Sequence, residues 1–129
     1  MREIVFRGKK VKDGEWTSGS LWMNIGKPHI ISSGNTVGYE VDLDTVGQFT
    51  GMVDANDLMI YEGDILHITH FGEPCIGVVS FRLSCFISET YSTNTQMMVE
   101  CVPLDHYDSY ELTIVGTVHD NREMLGGLV

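Results

Sequence analysis

Nowhere in the chain do apolar residues recur at the i, i+3, i+4, i+7 spacing over the roughly 11 positions that an amphipathic helix requires. Short runs of β-branched and aromatic residues take its place, each cut off by glycine or a polar cluster, and that pattern commits the chain to strands. Glu3–Arg7 alternates as a first strand. Lys10–Lys12 and Glu15–Thr17 flank Asp13-Gly14, a pair suited to a two-residue hairpin with positive φ at both centres. Leu21–Asn24, His29–Ile31 and Gly38–Val41 follow, with Ser32-Ser33-Gly34-Asn35 as a turn. Gly47–Gly51 is a brief extended piece, and Asp54-Ala55-Asn56-Asp57 turns the chain into Leu58–Tyr61.

The longest strand signals are Asp64–His70 and Cys75–Ser88, separated by Phe71-Gly72-Glu73-Pro74. A four-residue loop there would pair His70 with Cys75, Ile68 with Gly77 and Leu66 with Val79. Side chains alternate between the two faces of a strand, so Leu66, Ile68, His70, Cys75, Gly77, Val79 and Phe81 share the more apolar face, which should point inward. Met97–Val102 and Leu112–His119 supply two more strands, and Asn121–Leu125 is a short helix capped by Asp120 or Asn121. The expected fold is mainly β with little helix: a barrel-like, SH3-like C-terminal half packed on an N-terminal β subdomain. The 129 residues suit one domain, with subdomains over 1–50 and 58–120.

Eight basic residues face eighteen acidic ones, for a formal net charge of -10. Arg2, Arg7, Lys9, Lys10, Lys12 and Lys27 oppose only Glu3, Asp13 and Glu15 in the first 27 positions. An acidic chain repels a phosphate backbone, but this basic segment can form a local patch or simply guard strand edges. No apolar run approaches the roughly 18 residues of a membrane span. Met1–Arg7 is too short in apolar residues for a secretory signal. Three cysteines without close spacing fit a reducing cytoplasm better than a disulfide framework.

Candidate chemistry is sparse. Histidines 29, 67, 70, 106 and 119 and cysteines 75, 85 and 101 include no C-x2–4-C pair. His67 and His70, three apart on a strand, face opposite ways. Only His70 with Cys75 forms a pair, in the expected register, and its plainer reading is a cross-strand contact at the rim of a core. Ser84-Cys85 lacks a G-x-S-x-G elbow, and no phosphate-binding glycine loop occurs. Glu62/Asp64 and Asp105/Asp108 are carboxylate pairs of the kind that arise by chance among eighteen acids. Trp16, Trp22 and Phe6 lie among the basic residues, and aromatic platforms beside Lys and Arg hold single strands of nucleic acid. Core packing is the plainer fate of both tryptophans.

Three blocks carry a family resemblance. The opening Met1-Arg2-Glu3-Ile4-Val5-Phe6-Arg7 resembles the start of YopX-family proteins, small proteins encoded by bacteriophages and prophages. Val46-Gly47-Gln48-Phe49-Thr50-Gly51-Met52, followed by Ile60-Tyr61-Glu62-Gly63-Asp64-Ile65-Leu66, is similar to the family's central block. Tyr110–Asn121 is similar to its closing block. This chain departs from the family at Asp54–Met59, where the turn glycine is missing, and at Thr117 and Arg122, which replace Asn and Pro. The resemblance implies a mostly β fold and a phage or prophage setting inside a bacterial cell. It implies no activity and no functional residue.

The expected function is a non-enzymatic accessory protein, without cofactor, that binds a host or phage protein through its acidic C-terminal half. The alternative is nucleic-acid binding through Arg7, Lys9, Lys10, Lys12, Trp16 and Trp22. A metal-dependent enzyme built on His70, Cys75 and another histidine is the third reading. Leftover strand edges suggest a homo-oligomer.

Overall fold

A computed structural model describes residues 3–32, 34, 37–70, 72–82, 84–93 and 98–128, without the side chains of 70, 98–101 and 126–128. The chain divides into two compact units, Met1–Gly51 and Met52–Val129. All pairing is antiparallel, and the described helical pieces are short 3-10 turns.

The first unit holds β1 (Phe6–Lys9), β2 (Trp16–Asn24), β3 (Lys27–Ile31) and β4 (Gly38–Glu40). β5 (Gly47–Val53) runs from the first unit into the second, where β6 (Met59–Tyr61) follows, in a sheet of order β4-β3-β2-β1-β5-β6. Ile30 and Val41 are buried on one side of it, and a Cβ at Gly8 would sit 3.0 Å from the Val41 Cβ. Glu15–Thr17 and Leu21–Asn24 are parts of one strand, carried through Gly19. That position must be glycine: its φ is +154°, and a Cβ there would collide with the Ile31 carbonyl oxygen.

The Asp13-Gly14 turn is wider than the sequence suggests. Lys10–Lys12 is not a strand; the Lys10 N–H donates to the Glu15 carbonyl and the Gly14 N–H to the Lys10 carbonyl, with positive φ at Gly14 and not at Asp13. The Ser32–Asn35 turn lies partly outside the described residues.

The second unit is a sheet of order β10-β9-β8-β7-β11, built from β7 (Asp64–His70), β8 (Glu73–Arg82), β9 (Cys85–Ser92), β10 (Met98–Pro103) and β11 (Leu112–Thr117). Ile60, Leu66, Ile68, Val79, Val102, Leu104, Tyr107 and Leu112 form its core, each fully buried aliphatic side chain contributing about 1.5–3 kcal/mol. Among the described residues no pairing joins β10 to β11, so the sheet is open and does not close into the expected SH3-like barrel. Cys75–Ser88 is two strands: the chain reverses at Ser84, whose φ is +65°. β9 escapes an apolar pattern because its inward positions are Ser88, Thr90 and Ser92, all buried. Ser88 Oγ lies 3.1 Å from Thr90 Oγ1, and Ser92 donates to Glu73 Oε1 at 2.6 Å.

The β7–β8 register differs by two residues from the expected one. Ile68 opposes Cys75, Leu66 opposes Gly77 and His70 opposes Glu73, because Glu73 and Pro74 belong to β8 and not to a loop. A shift of two preserves the faces, so Leu66, Ile68, Cys75 and Val79 are buried as expected, although Phe81 is exposed.

The Asp54–Met59 turn is built by Asp54. Its Oδ1 accepts the N–H groups of Asn56 (2.8 Å) and Leu58 (3.0 Å), and its Oδ2 accepts that of Ile114 in β11 at 3.0 Å. Asp57 takes φ +63°, the left-handed conformation a glycine would adopt. Burial pushes the Asp54 carboxyl up, and the N–H groups of Ile114, Leu58 and Asn56 together more than offset this, leaving its pKa below the ordinary value. Asp64, buried at the start of β7, accepts the Tyr61 N–H at 2.8 Å. Near the end, Asn121 Oδ1 accepts the Thr117 N–H at 3.1 Å, ahead of a 3-10 turn over Arg122–Leu128.

Candidate nucleic-acid interface

Two adjacent hairpin ladders sort the basic and aromatic residues of the first unit. Lys9 opposes Trp16 and Arg7 opposes Ser18 across β1–β2; Trp22 opposes His29 and Asn24 opposes Lys27 across β2–β3. Directly opposed residues of an antiparallel pair point to the same side. Arg7, Lys9, Trp16, Trp22, Lys27 and His29 therefore share one face, opposite the side that buries Ile30 and Val41. Ser18 and Ser20 lie exposed between the tryptophans, which are six residues apart on one strand, or about 20 Å.

Trp16 is the organising ring. The Arg7 guanidinium carbon lies 4.6 Å from its centroid and Lys9 Nζ 5.5 Å, both within the roughly 6 Å of a cation–π contact. All three residues are half-buried. β1 is fastened at this end: the Lys9 N–H donates to Thr45 Oγ1 at 2.9 Å, and the Asp42 N–H to the Lys9 carbonyl at 2.8 Å. At the far end Trp22 is 49% exposed, with the His29 ring 5.5 Å away and tilted by 53°. His29 Nδ1 is 3.0 Å from the Lys27 carbonyl oxygen. The carboxylate-bearing Glu40 borders this end, opposite His29.

Of the six residues expected to form the patch, Arg7, Lys9, Trp16 and Trp22 come together on this face. Lys10 has the opposite strand parity and rests over Tyr39, 4.3 Å from its ring. Lys12 is exposed in the β1–β2 turn, and Phe6 lies on the Gly8 side of β1. Lys27 and His29 are the additions. Residues 16–39 contain no Asp or Glu in a chain with eighteen acids, and that stretch is the sequence signal that could have found them. An open cleft of about 530 Å³ beside this sheet is lined by Lys9, Lys10, Pro28, Glu40, Val41 and Asp42; its two cations and two anions give it no preferred sign of ligand.

Charge divides sharply between the units. Six basic and six acidic residues balance over 1–51, whereas 52–129 hold two basic and twelve acidic ones. Several of those acids are engaged within the fold: Asp54 and Asp64 as above, Glu73 with Ser92, Glu89 with Arg82 at 2.8 Å, and Glu111 accepting the Asp108 N–H at 2.9 Å. Asp120 accepts from Thr117 Oγ1 at 3.3 Å, and Asp57, Asp105, Asp108 and Glu123 are exposed.

The metal suspects are dispersed. Cys75 is buried opposite Ile68, Cys85 opens β9, His67 is exposed on β7, and His106 is exposed with its ring 5.9 Å from that of Tyr107. The side chains of His70 and Cys101 lie outside the described residues, but the register places Glu73 and not Cys75 across from His70. Among the described residues no three His, Cys, Asp or Glu side chains gather as a metal site would need, and no helix is long and apolar enough to cross a membrane.

These features define a two-unit antiparallel β protein: a charge-balanced unit with a cationic, aromatic sheet face, followed by a strongly acidic unit. The chain belongs to the YopX protein family, which it matches over residues 6–126. No curated protein matches it.

Proposed function

We propose that this protein is a non-enzymatic binding module of a phage or prophage, acting inside the bacterial cell, and that it binds single-stranded nucleic acid on the Trp16–Trp22 face. The observation that carries this reading is the placement of Arg7 and Lys9 over Trp16, with Trp22 exposed on the same face of the same strand. Aromatic rings take up bases whatever their sequence, and neighbouring cations take up phosphates. Residues 1–51 are charge-balanced, so the unit that carries this face adds no net negative charge of its own. The test is fluorescence anisotropy of a labelled 16-nucleotide oligothymidine. Binding at about 50 mM salt that weakens steadily as salt rises supports the reading; no binding at about 50 mM, where phosphate contacts are strongest, ends it.

The exposed carboxylates Asp57, Asp105, Asp108 and Glu123 favour a second reading, in which the acidic unit docks a basic host or phage protein. Pull-down from host lysate against a charge-matched acidic control tests it. Recovery no better than the control removes its support. A homo-oligomer is compatible with either reading, and sedimentation analysis would measure it.

A further inference from the structure

The β2–β3 hairpin has an unusual tip. Asn24 pairs with Lys27, so the loop is the two residues Ile25-Gly26, with φ +53° and +75°. A turn with both centres left-handed favours Asn, Asp or Gly at its first position. This one holds a β-branched isoleucine, for which the left-handed region is a genuine outlier. Ile25 is also 94% exposed, so no burial offsets its strain. Met23 (51% exposed) and Trp22 flank it on the two faces of the ribbon, and the charged residue nearest to it in sequence is Lys27. Strain held at an exposed apolar position points to function.

We propose that this tip is a base-separating wedge: Ile25 inserts between neighbouring bases of a nucleic-acid strand whose flanking base rests on Trp22 and whose phosphate lies at Lys27. The inference rests on the reading of the Trp16–Trp22 face given above and deepens it. Two features select this occupant. The tip continues the face that carries Trp22 and His29, and its nearest charge in sequence is the cation Lys27, the carboxylate Glu40 lying a strand further away, opposite His29. In duplex DNA, isoleucine and methionine are among the apolar side chains that enter the minor groove and part base steps; the wedge proposed here makes the same insertion into a single strand.

Ile25→Asn tests the wedge without endangering the fold, because asparagine suits the left-handed position better. The variant should melt about 2–4 °C higher than the parent. It should bind the 16-nucleotide probe about 5- to 10-fold more weakly, and it should lose the fluorescence rise that the parent produces when it unstacks 2-aminopurine placed within a stacked oligoadenosine strand. If Ile25→Asn binds as tightly as the parent with the same 2-aminopurine rise, the wedge is overturned while the binding face stands. If the parent binds no oligonucleotide at about 50 mM salt, both fall together. Capture by phosphatidylglycerol vesicles that Ile25→Asn abolishes, with oligonucleotide binding unaffected, overturns the wedge in favour of a membrane.

Discussion

Lysine 9 provides the sharpest quantitative test of the binding face. Three full cations, Arg7, Lys9 and Lys27, share the face with the tryptophans. For a single strand, log K falls against log[salt] with a slope of about −0.7 per phosphate neutralised, so three contacts predict a slope near −2. Affinity for the oligothymidine probe should then drop about 15- to 20-fold between 50 and 200 mM salt. Lys9→Ala removes one contact and should flatten the slope to about −1.4, so that the same salt change costs about 7-fold. Lys12→Ala, in the turn, should leave the slope unchanged, and Lys10→Ala should too, since Lys10 sits over Tyr39 on the other side. Anisotropy titrations at four salt concentrations give each slope directly. If Lys12→Ala flattens the slope as much as Lys9→Ala does, the charge acts as a diffuse N-terminal cluster and the strand-face assignment is wrong.

Other outcomes follow from the fold. Trp16→Ala should weaken binding at fixed salt by about 5- to 150-fold, the range for one lost base stack of about 1–3 kcal/mol. Asp54→Ala strands three N–H groups and should cost about 3 kcal/mol or more in urea unfolding at pH 7. Because the folded pKa of Asp54 is depressed, its contribution is fully present above the unfolded value of about 3.9 and is lost as pH falls through the folded value. The deficit of Asp54→Ala should therefore shrink below about pH 4; a deficit that stays constant contradicts a charge-assisted role. Gly19→Ala should destabilise by about 2 kcal/mol or more, since the new Cβ meets backbone atoms of Ile31 and Ser32. A neutral effect there contradicts the close approach of β2 and β3.

Strand identity was largely legible in the sequence because alternation and β-branching are local signals. Asp64–His70 was read to the residue. Turn geometry was less so. The β2–β3 reversal was legible as the break between Leu21–Asn24 and His29–Ile31, but Ser84 adopts a left-handed conformation without being glycine, so nothing in its residue type marked the β8–β9 reversal. Pro74 looked like a loop residue but is the second residue of β8, which moved the β7–β8 register by two. The inward set survived only because that shift is even. For the candidate site, proximity in sequence grouped Lys10 and Lys12 with Lys9. Strand parity separates Lys10, the β1–β2 turn carries Lys12 off the face, and parity brings in Lys27 and His29 from β3.

The most direct test of the central claim uses the two tryptophans themselves. In an amide-correlation NMR spectrum of uniformly ¹⁵N-labelled protein, the chain gives two indole N–H signals, from Trp16 and Trp22. Titration with the 16-nucleotide oligothymidine at about 50 mM salt should move both, together with the backbone signals of β1, β2 and β3, and leave β7–β11 in place. Shifts confined to the acidic unit, or none at all, would contradict the account.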